Sequence, residues 1–395
     1  MTDWKKCTIS DIGIVIGGAT PSTKKPENYE GGEIPWITPK DLSSFSGRYI
    51  GQGERNITEK GLKSCSTQLL PVHTILFSSR APIGYIAIAQ NRVCTNQGFK
   101  SIVPNDETDY LFLYYLLKYN KEKIEHMGSG TTFKEVSGNT MKGISIKVPI
   151  SIKDQRKIAS VLDALDSKIE KNEQINKNLL EQALTLYTTQ FSSLEKNGCI
   201  GNYCTVKSGF AFKSSWWTNI GVKVIKIGSI NQDNLNLSEC SYVDEDKIDK
   251  AKDFVVKAGD LLIAMTGATI GKFAMVPYSS EVLLVNQRVG KFFLGNNPVE
   301  KLPFIYCTLK QPKVYNEVVN RGQGSAQPNI SASDIMSIPC VIPSQEAINN
   351  FNNVAKPLFD LIISNQRENQ QLSEICNTLL PKLMSGKLDV STLEF

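Results

Sequence analysis

Few residues in this 395-residue chain have the type and spacing that chemistry requires. Its two histidines, His73 and His126, have no cysteine or second histidine near them in sequence, so each reads as a structural or surface residue rather than a catalytic base or metal ligand. The segment Gly267-Ala268-Thr269-Ile270-Gly271-Lys272 imitates a phosphate-cradling loop, but it is one residue short and carries Phe273 where Ser or Thr is required. There is no Asn-Pro-Pro-Tyr/Phe tetrapeptide such as adenine methyltransferases use, and no Gly-rich turn followed by an acidic residue at cofactor spacing. The nine cysteines include no Cys-x-x-Cys, the closest pair being Cys199 and Cys204, which argues against a zinc site or disulfide framework and for a reducing cytoplasm. The expectation is a chain that catalyses nothing and holds no metal or cofactor.

The elements that would position any binding residues are written twice. From Ile158, apolar or Asn residues recur in alternating steps of four and three: Leu162, Leu165, Ile169, Asn172, Asn176, Leu179, Ala183, Leu186, Gln190. From Phe351 the same alternation gives Ala355, Leu358, Ile362, Asn365, Asn369, Leu372, Cys376, Leu379 and Leu383, each 193 positions after its counterpart. This is the spacing of a coiled-coil seam. If the two seams pair antiparallel, position x meets position 541 − x, so Asn172 faces Asn369 and Asn176 faces Asn365. Seam amides penalise slipped registers, because a slip leaves an amide against hydrocarbon. The alternative is that these Asn residues are solvated helix positions. Ser151, with Asp154 three residues on, can cap the first helix, which runs to about Phe191, a rod of roughly 60 Å. In the second helix Pro357 predicts a kink or break and Pro381 a stop.

The repetition extends more faintly into the globular halves. Ile83-Gly84 reappears as Ile270-Gly271, Asn96-Gln97 as Asn286-Gln287, Phe112-Leu113-Tyr114 as Phe304-Ile305-Tyr306, and Val148-Pro149 as Ile342-Pro343. Between these anchors the halves differ almost everywhere. Residues 34–37, 74–78, 83–89 and 99–103 read as strands and 110–119 as a helix; the second half follows with strands at 222–227, 261–265, 271–276 and 289–293 and a helix near 303–309. The predicted fold is α+β, two mixed α/β domains joined by two long antiparallel helices in a pseudo-twofold repeat. Boundaries fall at 1–150, 151–194, 195–343 and 344–390. A net charge of +5 permits a polyanionic partner without demanding one. No apolar run approaches the ~20 residues needed to span a bilayer, and the start lacks a signal-like hydrophobic stretch.

This order of domain, helix, domain, helix, ending in Leu379-Leu380-Pro381-Lys382-Leu383-Met384-Ser385-Gly386-Lys387-Leu388, resembles the specificity subunit of Type I restriction-modification enzymes. Further matches are Ile227-Gly228-Ser229-Ile230, Gly259-Asp260-Leu261-Leu262, Thr269-Ile270-Gly271, Asn286-Gln287, and Val148-Pro149-Ile150 leading to Gln155 and Ile158. The resemblance covers nearly the whole chain. It implies two target recognition domains, each reading one half of a split, asymmetric DNA sequence. The helices would set the gap and dock two modification subunits that bind S-adenosylmethionine and methylate adenine at N6; two restriction subunits using ATP would complete the assembly.

Reading DNA requires cations for phosphates and planar side chains for base edges. The candidates are Lys24, Lys25, Lys40, Arg80 and Lys134 in the first half, and Lys213, Lys226, Lys272, Arg288, Arg321, Gln323 and Gln327 in the second. For each, a solvated surface charge or amide is the competing reading. Gly128-Ser129-Gly130-Thr131-Thr132 and Gly322-Gln323-Gly324-Ser325 are candidate loops for close approach to phosphate. Half-sites about one turn apart, ~34 Å, would suit two domains held by such helices. Inserting or deleting four residues in one helix should then change the gap and leave the half-site sequences alone. The alternative is a coiled-coil scaffold without sequence-specific DNA binding, which leaves two divergent globular halves unexplained.

Overall fold

A computed structural model of the chain describes residues 2–43, 45–130, 134–322 and 328–390. It divides into two units, Met1–Glu170 with Leu372–Phe395, and Lys171–Gln371. In the first, a five-stranded sheet has the order Gly13–Gly17, Lys100–Pro104, Ile75–Ser79, Ile83–Ala89, Tyr49–Ile50. A three-stranded sheet places Ile34–Ile37 between Arg55–Ile57 and Cys94–Thr95, and Trp4–Thr8 pairs antiparallel with Ser145–Pro149. The second unit repeats these pairings. Thr205–Ser208, Val289–Phe293, Leu261–Ala264 and Phe273–Met275 form a four-stranded sheet, Val222–Ile225 lies between Ser241–Val243 and Leu283–Val285, and Gly198–Cys199 pairs with Pro339–Cys340. In each unit one strand, Ile34–Ile37 in the three-stranded sheet of the first and Val222–Ile225 in a five-stranded sheet of the second, has one antiparallel and one parallel neighbour. The expected α+β class holds.

Helices Ile152–Phe191 and Gln345–Met384 contribute residues to both units. Within the second unit Asn172 Nδ2 donates to Asn369 Oδ1 and Asn365 Nδ2 donates to Asn176 Oδ1, both at 2.8 Å. That is the antiparallel register in which x meets 541 − x. Asn172 is buried and also donates to Glu368 Oε2 at 2.7 Å, so its amide is satisfied inside the seam. Leu162 and Ile362 are buried, and Leu165, Ile169, Leu179, Leu358, Leu372 and Leu379 are half-buried. The seam fails at its far end, where Gln190 is exposed and Tyr187 and Phe191 are the buried residues. There the helix turns toward a wider apolar surface, Tyr187 lying against Phe304 and Phe351 at 5.7 Å in each case.

Neither proline interrupts the second helix. The carbonyls deprived of partners belong to Asn353 and Asn377, four residues before Pro357 and Pro381; all four residues are exposed, so water can satisfy those oxygens. Buried Phe351, Ala355, Phe359 and Ile362 hold the chain helical around Pro357. At the first helix, Ser151 Oγ accepts from Lys153 N at 3.1 Å, rather than pairing reciprocally with Asp154 as a capping box would.

Each long helix fastens the short helix of its unit with a buried amide. Gln155 Oε1 accepts from Asp109 N at 2.9 Å while Nε2 donates to Glu107 O and Pro149 O, both at 3.1 Å. In the second unit Asn352 Oδ1 accepts from Phe304 N at 2.9 Å and Nδ2 donates to Tyr203 Oη at 3.1 Å. Those bonds fix the starts of Tyr110–Tyr119 and Leu302–Lys310, which carry many of the buried side chains of the two cores. A second fastening in the first unit is Arg48. Its guanidinium donates to Glu170 through Nε at 2.8 Å and Nη2 at 2.9 Å, to Asp163 at 2.6 Å, to Ser167 at 2.9 Å and to Tyr115 Oη at 3.2 Å. Asp163, Ser167 and Glu170 share one helix face through i, i+4, i+7 spacing.

Candidate nucleic-acid interface

In the second unit the stretch leading into Val222–Ile225 is aromatic and ringed by ammonium groups. Lys213, Lys247 and Lys250 place Nζ 5.6, 5.3 and 5.0 Å from the Trp216 ring centroid. Lys226 Nζ lies 3.7 Å from that of Trp217, and its partial burial lowers the ammonium below its ordinary range. Phe210 stacks under Trp216 at 6.1 Å and Phe212 braces Trp217 at 5.5 Å, so both indoles are held by packing. A half-exposed platform of this kind offers cations to phosphates and flat faces to sugars or bases. Trp216, Trp217, Lys247 and Lys250 were not among the candidates read from sequence, although adjacent tryptophans beside Lys213 are the signal that could have found them.

The first unit has a cationic–aromatic stretch at the corresponding place, before Ile34–Ile37. The Arg55 guanidinium lies 4.0 Å from the Tyr29 ring centroid, and the Tyr29 hydroxyl donates to Pro21 O at 2.6 Å. Lys24 and Lys25 are exposed beside it. Lys40 is exposed and pairs with Glu54 at 2.7 Å, a surface ion pair weak enough to be exchanged for a phosphate.

A second group surrounds Ser79. Ser79 N donates to Gly98 O at 2.7 Å and Val136 N donates to Ser79 O at 3.0 Å, which brings Arg80, exposed Lys134 and the Asn96-Gln97 turn together although they are distant in sequence. Arg80 lies 3.6 Å from Glu135. In the second unit Met265 N donates to Arg288 O at 3.0 Å and Ile330 N to Met265 O at 2.9 Å. Exposed Arg288 and half-buried Lys272 therefore flank the same strand end. Arg321 is not presented in this way. Its guanidinium pairs with Glu317 at 3.0 Å and donates to Ser337 Oγ at 2.6 Å and Asp334 O at 3.1 Å, so three of its five donors are engaged within its own unit. Gln323 and Gln327 lie outside the described residues, as do Thr131 and Thr132 of the first glycine loop and residues 323–325 of the second.

The two histidines and the loop that imitates a phosphate cradle have other partners. His73 stacks on Tyr110 at 3.9 Å, and His126 Nδ1 is 2.6 Å from Glu122 O. Gly267 N donates to Pro328 O at 3.0 Å, and the loop it opens leads to strand Phe273–Met275 rather than to the helix a phosphate loop needs. Burial pushes the Cys94 thiol up to about 11 and those of Cys204 and Cys340 up to about 12, away from thiolate chemistry. Among the described residues no group of three or more His, Cys, Asp or Glu could hold a metal ion, and no helix is long and apolar enough to cross a membrane.

Residues 1–181 and 195–376 each match the Type I restriction modification DNA specificity domain. The chain belongs to the family of Type I specificity subunits. It is 34% identical to the Type I restriction enzyme MjaIX specificity subunit of Methanocaldococcus jannaschii over 99% of this chain and 95% of that one. The MjaVIII specificity subunit of the same organism is 23% identical over 100% and 95%, and the EcoR124I/EcoR124II specificity subunit of Escherichia coli is 31% identical over 42% and 41%. In fold, the chain is similar to the crystal structure of a Type I restriction-modification S subunit from M. genitalium, with TM-score 0.56, 19% identity, and 97% and 96% of the two chains covered.

Proposed function

We propose that this specificity subunit reads a gapped, two-part DNA sequence, one half-site per domain, and catalyses nothing itself. Its long helices set the gap and dock two modification subunits, which bring S-adenosylmethionine and methylate adenine at N6. Two restriction subunits, using ATP and magnesium, join the same assembly. The observation that carries the reading is the duplicated cationic–aromatic stretch: each unit has one at the same topological position, built from different residues, as two readers of different sequences require.

The test is salt-dependent binding of the full chain, alone and with its modification subunits, to duplex DNA. Binding should weaken steeply as salt rises, with a log–log slope near −0.9 per phosphate contacted. The double substitution Lys247→Ala, Lys250→Ala should flatten that slope by up to about two such steps while leaving the preferred sequence unchanged. Duplex binding that is absent, or indifferent to salt, would favour the scaffold reading.

A further inference from the structure

One construction is repeated in both units down to its side chains. Asn96 N donates to Ile37 O and Asn286 N to Ile225 O, both at 3.0 Å. Each Asn then locks a turn over itself: Asn96 Oδ1 accepts from Gly98 N at 2.8 Å, and Asn286 Oδ1 from Arg288 N at 3.2 Å. The turns close through Phe99 N to Asn96 O at 3.3 Å and Val289 N to Asn286 O at 2.9 Å. A glycine backs each one. A Cβ on Gly18 would lie 2.1 Å from Asn96 O, and one on Gly209 2.4 Å from Asn286 O, both backbone atoms that cannot swing away.

This geometry explains the asparagines, since Asn at the first turn position bonds its own backbone two residues on. It does not explain the glutamines. Gln97 and Gln287 occupy the next position, which tolerates most residues, and both are exposed. In the first unit Thr20 Oγ1 donates to Gln97 Oε1, which orients that amide and, among the described residues, leaves both Nε2 donors and one oxygen lone pair for a partner. The units otherwise diverge, so a glutamine carried at the same turn position in both suits a feature their two targets share.

We propose that Gln97 and Gln287 are matched base-edge contacts, each to an A·T pair present in both half-sites. A carboxamide offers a donor and an acceptor side by side, the complement of adenine N7 and N6 in the major groove. Arg80 follows the strand residue bonded to the first turn, and Arg288 follows Gln287, so a cation accompanies each amide to hold the adjacent backbone. The inference rests on the DNA-reading function proposed above.

The test uses the full chain with its modification subunits on a duplex carrying the mapped motif, with each motif adenine replaced in turn by 7-deazaadenine, which lacks the N7 acceptor. The intact complex should lose about ten- to a hundredfold in methylation rate at limiting DNA for one adenine in each half-site. Gln287→Ala should show a loss of the same size on normal DNA and become indifferent to the replacement in one half-site only; Gln97→Ala should become indifferent only in the other. Wild-type rates in both variants, or sensitivity to 7-deazaadenine that neither substitution removes, would overturn the inference. If the intact complex methylates no gapped motif at all, the DNA-reading function fails first and takes the inference with it.

Discussion

Phe351→Ala should destabilise the Lys171–Gln371 unit by about 3–5 kcal/mol. Phe351 is fully buried and meets Tyr187, Phe191 and Phe304 at ring-centroid distances of 5.7, 5.6 and 6.5 Å. Truncation would open a cavity where both long helices meet the short helix Leu302–Lys310, a site held by three elements that can collapse only partly. Hydrogen exchange should report accelerated opening concentrated in residues 171–371, with residues 1–170 much less affected. An unchanged exchange pattern there would mean that this aromatic cluster does not anchor the second unit.

Arg48→Ala should cost the first unit about 3 kcal/mol, because it leaves Asp163 and Glu170 without the cation that offsets their partial burial. Burial disfavours the Arg48 charge, but the hydrogen bonds it donates to Glu170 and Asp163 more than compensate and leave its pKa raised. Reciprocally, the bonds from Arg48 hold the Glu170 carboxyl below the usual range. A carboxyl depressed in the folded state contributes stability above its unfolded pKa and loses it as pH falls through the folded value. Wild type should therefore lose stability on acidification through the ordinary carboxylate range and below, and Arg48→Ala should lose less over that window. Arg48→Lys should recover only part of the deficit, since one ammonium cannot span the forked set of acceptors. Thermal melts across that pH range, with exchange localised to residues 1–170, check both statements; identical pH profiles for wild type and Arg48→Ala would contradict them.

The helices were legible because their evidence is local and periodic. The 4-3 alternation identifies the seam, and two Asn pairs are enough to fix an antiparallel register that the hydrogen bonds then display. Helix Tyr110–Tyr119 was readable to the residue, capped by Asp109. Pro357 and Pro381 were misread because a proline breaks a helix only when the carbonyl it strands lacks another partner, and burial is invisible in sequence. Gln190 was misread because at this end the helix packs against two helices at once, through Phe351 of the second long helix and Phe304 of the short one, so Tyr187 and Phe191 take the buried positions. Two-residue strands such as Trp217–Thr218 carry no usable periodicity. The Arg48 network joins residues 67 to 122 positions apart, and nothing in the sequence around Arg48 announces it. Within the candidate interface, Lys213 and Lys226 could be found as cations, but the tryptophan platform that organises them emerges only when Lys247 and Lys250 are folded back onto it.

The most direct measurement is to co-express the full chain with its modification subunit in a host that lacks DNA methylation and to map methylated adenines by long-read sequencing. The expected result is a gapped two-part motif with one methylated adenine in each half, on opposite strands. Four residues inserted into one long helix should change the gap and leave both halves intact. Soluble, associated subunits that methylate no motif, or a motif without a gap, would contradict the claim that two domains on this chain read two separate half-sites.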